Sequence, residues 1–343
     1  MNNKSFIFLA LILVLFSSCS TEVDVNGEWD DIPIVFCVLD HSSEYQYVKV
    51  NKSFLGHVPA SIMAQESDSL FYEHVTVVIK EYINENETNS WIFSPVDTIQ
   101  KPEGYFSCEK NTIWACKMTF SEGAIYELNV NINNGEHIIK AETELIEGID
   151  LIKPSALQPQ IDIHNYNGDS EYKYNNGTNG KVFQMTIVFN YLEIIDGDTS
   201  ENYKSIYWNQ AKEYRNTANA SDVTGKFSVQ AFYNLIVSEI PTAEPNVKRL
   251  VKMPNSIEFR LAAADENYST YMEVTSPSNG LVQEKPTFTN LTEGYGLFAS
   301  RYNITLTKPL SGRSLDSLCR GIYTKNLGFA DRYDPYYVAW GIY

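Results

Sequence analysis

The strongest constraint on this fold is the stretch Ile125-Tyr126-Glu127-Leu128-Asn129-Val130-Asn131-Ile132 with the Asn133-Asn134-Gly135 that follows it. Its strict two-residue period suits a strand with one face in a core and does not suit a helix. The Asn-Asn-Gly sequence tolerates the positive φ of a tight hairpin, so His137 to Thr143 is expected to return antiparallel. The pattern recurs in Val75 to Tyr82, where Val75, Val77 and Ile79 share a face. It recurs again in Tyr45 to Val50, where Tyr45, Tyr47 and Lys49 lie opposite Val48 and Val50. Ile32 to Leu39 is apolar on both faces and reads as a buried strand. Trp91–Phe93, Gly104–Cys108 and Ile113–Phe120 complete the series. Short strands with turn signals between them predict an immunoglobulin-like β-sandwich over residues 28–150.

Ile152-Lys153-Pro154-Ser155 reads as a joint to a second, β-rich domain over 151–343. There, Asn165 to Gly180 reads as an exposed loop and Lys181 to Ile195 as a strand closed by Asp196-Gly197-Asp198. Ser205–Glu213, Gly225–Ser238 (helical where it reads Phe232 to Val237), Ser256–Leu261 and Tyr302–Leu306 follow as strands. Ala262 to Val274 is the best helix, because alanine is the strongest helix former and Tyr268, Tyr271 and Met272 fall on one face. A shorter helix within 61–72 would turn Ile62, Met63 and Leu70 inward. Gly294 and Gly296 permit a close backbone approach, with the strand packed under the helix and Tyr295 and Phe298 in the core. The predicted class is therefore mainly β: an N-terminal immunoglobulin-like β-sandwich, then a second β-rich domain with one short helix.

Ahead of the first strand, Lys4, the apolar run Phe6 to Phe16 and the small pair Ser17-Ser18 have the layout of a signal peptide over residues 1–18. The run is too short for a permanent span, which needs roughly 20 apolar residues. Phe16-Ser17-Ser18-Cys19 resembles the bacterial lipobox, which implies cleavage before Cys19 and its acylation, with 19–27 as a lipidated tether. Several acyl chains hold a protein to a membrane far better than one. Glu22 and Asp24 resemble the surface-export signal of Bacteroidota lipoproteins, which implies a lipid-anchored protein of the outer membrane, on either its periplasmic or its cell-surface leaflet.

The formal charge is -17, and cleavage, which removes Lys4 and no acid, makes it one unit more negative. Such a chain repels nucleic acid. Cys37, Cys108, Cys116 and Cys319 remain after Cys19. Cys37 reads as a buried thiol. Cys108 and Cys116 flank the turn 109–112 and form a candidate hairpin disulfide, their spacing being wrong for zinc. His41, His57, His74, His137 and His164 form no zinc motif, and no G-x-S-x-G elbow, P-loop or dinucleotide fingerprint appears. Asp196, Asp198, Ser200 and Asn202 alternate oxygen ligands but lack the glycine and closing glutamate of a calcium loop, so a hairpin turn explains them better. Asp30 and Asp31 are strand neighbours and point apart, which disfavours a glycosidase pair. No cofactor, metal site or catalytic residue is predicted. The aromatic tail offers Tyr333, Tyr336, Tyr337 and Trp340 as a candidate partner surface.

A helix with paired tyrosines, a proline-bearing link and Asn290-Leu291-Thr292-Glu293-Gly294-Tyr295-Gly296-Leu297-Phe298 together resemble an uncharacterised Bacteroidota lipoprotein family, a domain of unknown function. The likeness covers Asp265 to Arg301 best, and agrees in outline at Gly104-Tyr105-Phe106 and Ile125 to Leu128. Glu293 departs from it, and the tail from Lys308 extends past it. Members of that family often sit beside TonB-dependent transporters. The resemblance implies a non-enzymatic binding or accessory module for such a transporter. A fimbrillin-like adhesin subunit is the alternative, and a surface hydrolase a third class.

Overall fold

Sixteen strands and five helices cover residues 31–53, 59–109, 111–198, 202–215, 220–276, 287–335 and 337, the part of this computed structural model described below. The segments expected to be signal peptide and tether, with Cys19, lie outside the described residues. The chain is mainly β, as its alternating segments predict.

The first strands are β1 (Pro33–Asp40) and β2 (Tyr45–Lys52), paired antiparallel. Val35, Cys37 and Leu39 of β1 and Val48 and Val50 of β2 are wholly buried, while Tyr45 and Tyr47 stay exposed on the other face. Two single helical turns follow, α1 (Ala60–Met63) and α2 (Ser67–Leu70). Leu70 is buried as expected, but Ile62 is exposed, because the turn is too short to present a whole face.

Next come β3 (Val75–Ile83), β4 (Asn86–Val96), β5 (Ile113–Lys117), β6 (Ile125–Ile132) and β7 (His137–Glu144). The β6–β7 turn forms as predicted, with Asn133 at φ 49° and Asn134 at φ 58°. Gly104–Cys108 is not a strand: it bends within the long β4–β5 connection.

In the remainder, β8 (Glu147–Lys153) and β9 (Asp169–Thr178) are followed by the long β10 (Val182–Ile195). The polar segment 165–180 is thus half strand, its alternate Tyr172, Tyr174 and Asn176 being buried. Then come β11 (Tyr203–Asn209), β12 (Glu213–Tyr214), β13 (Asp222–Ser228), α3 (Val229–Glu239), β14 (Val247–Val251) and β15 (Ile257–Ala264). The three alanines expected to open a helix finish β15 instead. They are hydrogen-bonded to β10 on one side and to β16 (Tyr295–Lys308) on the other, a tertiary pairing that overrides local propensity. The helix α4 (Glu266–Thr275) begins only after Asp265, whose carboxylate accepts from the Tyr268 N–H at 2.8 Å. That carboxylate also accepts from the Ser300 N–H and the Thr143 hydroxyl, fixing α4 against β16 and β7. The last helix, α5 (Gly312–Arg320), was not expected, so the one short helix expected after residue 150 is corrected to three among the described residues.

Eleven strands lie in the order β11-β10-β15-β16-β1-β2-β5-β4-β3-β6-β7, with β12 and β14 also paired to β10; β13-β9-β8 form a smaller sheet. The β1–β16 pairing is parallel, running from Ile34 opposite Tyr295 to Asp40 opposite Arg301. It brings two backbones together at Gly294 and Gly296. Phe298 is buried there as expected, but Tyr295 is 48% exposed and not core. One core draws on residues 35–145 with Leu291 and Phe298, a second on residues 146–329.

Glu81 lies wholly inside the first core. Burial pushes its carboxyl upward, but hydrogen bonds from Tyr126 Oη (2.7 Å), Asn89 Nδ2 (2.9 Å), Thr88 Oγ1 (2.7 Å) and the Ser121 N–H outweigh it and hold the group below its ordinary range. A depressed carboxylate contributes stability that is complete above its unfolded pKa and is lost as pH falls toward the folded one. Glu81→Gln is accordingly expected to cost about 2 kcal/mol at neutral pH. It should also flatten the fall of the melting temperature below the ordinary glutamate range; an unchanged acid slope would contradict this.

Candidate functional site

A cavity of about 500 Å³ opens on the face of β1 and β2 that points away from the first core. Strand alternation creates this face: Val35, Val48 and Val50 go inward, which leaves Ile34, Lys49 and Asn51 outward, with Ile34 directly opposite Asn51. Leu70 and Phe71 form one wall. The β4–β5 connection forms the other through Lys101, Phe106 and Asn111.

That connection is held in place by polar contacts. The Ser107 N–H donates to the Ala64 carbonyl at 2.7 Å, Thr112 Oγ1 donates to Asp97 at 2.7 Å, and Asn111 Nδ2 donates to the Ile99 carbonyl at 2.8 Å. Gln65 Nε2 donates to the Tyr105 carbonyl. The wall is therefore anchored both to α1 and to its own strand ends.

Three ammonium groups rim the cavity, and an aromatic ring lies beneath each. Lys49 Nζ is 4.7 Å from the Phe71 centroid, Lys101 Nζ is 5.0 Å from Phe106, and Lys52 Nζ is 5.7 Å from Tyr72. Lys49 donates to Asn111 Oδ1 at 2.6 Å and to the Thr112 carbonyl at 3.1 Å, both neutral acceptors. Among the described residues none of the three lysines forms an ion pair, although acids outnumber bases 43 to 26 in the chain. Burial, and then the neighbouring charge of Lys101, lowers the Lys49 pKa to about 8, against a smaller upward pull from Asp97. Chemically, this is an apolar-floored site with positive charge at its mouth that no carboxylate pairs among the described residues.

The residues singled out from sequence are not gathered here. Cys108 is exposed and Cys116 half-buried in β5; both are free thiols. The candidate pair is not joined in this arrangement, where residues 104–108 bend along the cavity wall and form no hairpin arm. Cys37 is a buried free thiol, and burial pushes its pKa up. Tyr333 is 69% exposed beneath the Arg332 guanidinium, but Tyr337 is wholly buried, its hydroxyl accepting from the Val251 N–H at 2.8 Å. Tyr337 therefore belongs to the interior and not to a partner surface; Tyr336 and Trp340 lie outside the described residues. His137 meets Glu293 at 2.5 Å, His164 meets Asp162 at 2.7 Å, and His41 stacks on Tyr302. Asp31 accepts from the Tyr72 hydroxyl at 2.5 Å; Asp30 and His57 lie outside the described residues. Asp196-Gly197 makes the expected turn, at φ 54° and 76°.

Sequence reasoning missed the cavity. Its one local signal was Lys49 on the tyrosine face of β2, because Lys101 and Phe106 join it only through the tertiary path of a loop. Among the described residues, no cluster of histidine, cysteine or acidic side chains could hold a metal ion, and no helix is long and apolar enough to cross a membrane. No protein-family model matches this chain, and no curated protein shows significant similarity to it.

Proposed function

We propose that this protein is a non-enzymatic binding module, anchored by Cys19 to the outer membrane and serving a TonB-dependent transporter as an accessory. The observation that carries the binding reading is the lysine-rimmed, apolar-floored cavity of about 500 Å³, a volume within the ordinary range of small-molecule sites. The anchor rests on the apolar run ending in Ser17-Ser18-Cys19, and the transporter on the likeness of Asp265 to Arg301 to a lipoprotein family of that genomic setting. We further read residues 28–150 as an immunoglobulin-like sandwich and 151–343 as a second β-rich domain. The division of core residues near 145 supports this, although the β1–β16 pairing welds the two through one sheet.

Affinity purification from detergent-solubilised outer membrane, wild type against Cys19→Ala, tests the reading. The wild type should fractionate with the outer membrane and carry a TonB-dependent transporter with it, and Cys19→Ala should leave the membrane fraction. Recovery of the wild type in polymers would replace this reading with the fimbrillin-like adhesin.

A further inference from the structure

The chemistry of the cavity says more than that something binds. A bare anion such as inorganic phosphate would meet the ammonium groups but leave the half-buried Ile34 and the exposed Phe106 ring in contact with water. A plain hydrocarbon would cover those side chains but strip water from Lys49 and Lys101 without compensation, which is costly for charged groups. Only a ligand carrying both parts satisfies both surfaces. The lysines hold no carboxylate partner of their own among the described residues, so no internal ion pair has to break on binding.

We propose that this cavity binds a small amphiphile with a carboxylate head and an apolar body, the head held by Lys49 and Lys101 at the mouth and the body laid on Ile34, Leu70 and Phe71. The proposal rests on the reading of the chain as a binding module and names the class of ligand. Lys49 is the principal contact, because it is fixed by Asn111 and the Thr112 carbonyl and needs little reordering. The charged groups that act on it are Lys101, which disfavours its protonation, and Asp97, which favours it. A bound carboxylate adds to the second effect, so binding takes up protons on the alkaline side of neutrality.

The experiment is calorimetric titration of purified protein with decanoate, alongside decanol, decyltrimethylammonium and inorganic phosphate. Decanoate should bind at least about tenfold more tightly than decanol, the other two should give no saturable heat, and decanoate affinity should drop about tenfold from pH 7 to pH 9.5 as Lys49 loses its proton. Lys49→Met should lose that pH dependence together with about tenfold in affinity. Lys101→Met, a change in the loop wall, should weaken binding similarly with an unchanged melting temperature, and it decides the matter if Lys49→Met does not fold. Equal binding of decanoate and decanol, no decanoate binding, or full affinity in Lys101→Met would each overturn the proposal. A transporter that still co-purifies with a protein blind to decanoate would remove this ligand class and leave the accessory module standing. Decanoate binding without a co-purifying transporter would do the reverse.

Discussion

Gly296→Ala is expected to lower the unfolding midpoint by about 6 °C, an effect of about 4 kcal/mol for a chain of this size. Gly296 sits at φ 137°, where a side chain is strained, and a Cβ there would lie 1.7 Å from the Val35 carbonyl oxygen. The obstacle is backbone, so no rotamer change relieves it. Val35 is Gly296's own partner in the parallel β1–β16 ladder, and retreat would break hydrogen bonds on both sides of the clash. Gly104→Ala is the control: a Cβ there meets nothing within 4 Å, and its midpoint should not move. Thermal or urea denaturation reads both. Equal midpoints for the two variants would mean that β1 and β16 do not approach as described.

Arg249→Met should be comparably damaging, at about 3–5 kcal/mol. The side chain is almost wholly enclosed, and Nε donates to Glu193 at 2.8 Å. Its Nη1 reaches the Pro241 carbonyl at 3.0 Å and the Leu327 carbonyl at 2.5 Å. One guanidinium therefore gathers β10, the exit of α3 and the chain beyond α5. Burial pushes the Glu193 carboxyl up, but Lys204 and Arg249 together hold it below its ordinary range; without Arg249 it keeps only the partly exposed Lys204. The double variant Glu193→Leu with Arg249→Met removes the stranded charge, so it should be more stable than Arg249→Met alone. A single variant within about 1 kcal/mol of wild type would refute the role given to this pair.

The strands legible in the sequence were those with one face in a core. At β3, β6 and β7 the two-residue period survives because water faces one side, and the Asn133-Asn134-Gly135 turn declares itself by residue type. The pattern fails where tertiary pairing decides. Ala262 to Ala264 have helical propensity but lie between two strands. Residues 165–180 are rich in asparagine and glycine, yet a small sheet buries every second residue from Tyr172. Tyr337 has the look of a recognition residue, and its hydroxyl instead satisfies a buried N–H of β14. The cavity was legible in part. Alternation placed Lys49 opposite Val48 and Val50, but no local signal announces that Lys101 and Phe106 will bend over it.

The parallel ladder of β1 and β16 also sets an order of events in time. The Asp40–Arg301 contact spans 261 residues, and a chain exported amino end first delivers β1 long before β16. Until β16 follows, that edge of β1 stays open. During that interval its backbone groups are free to pair with any other extended chain nearby. A full-length chain diluted from denaturant has both strands present from the start and escapes the delay, so crowding should harm this protein most while it is being exported.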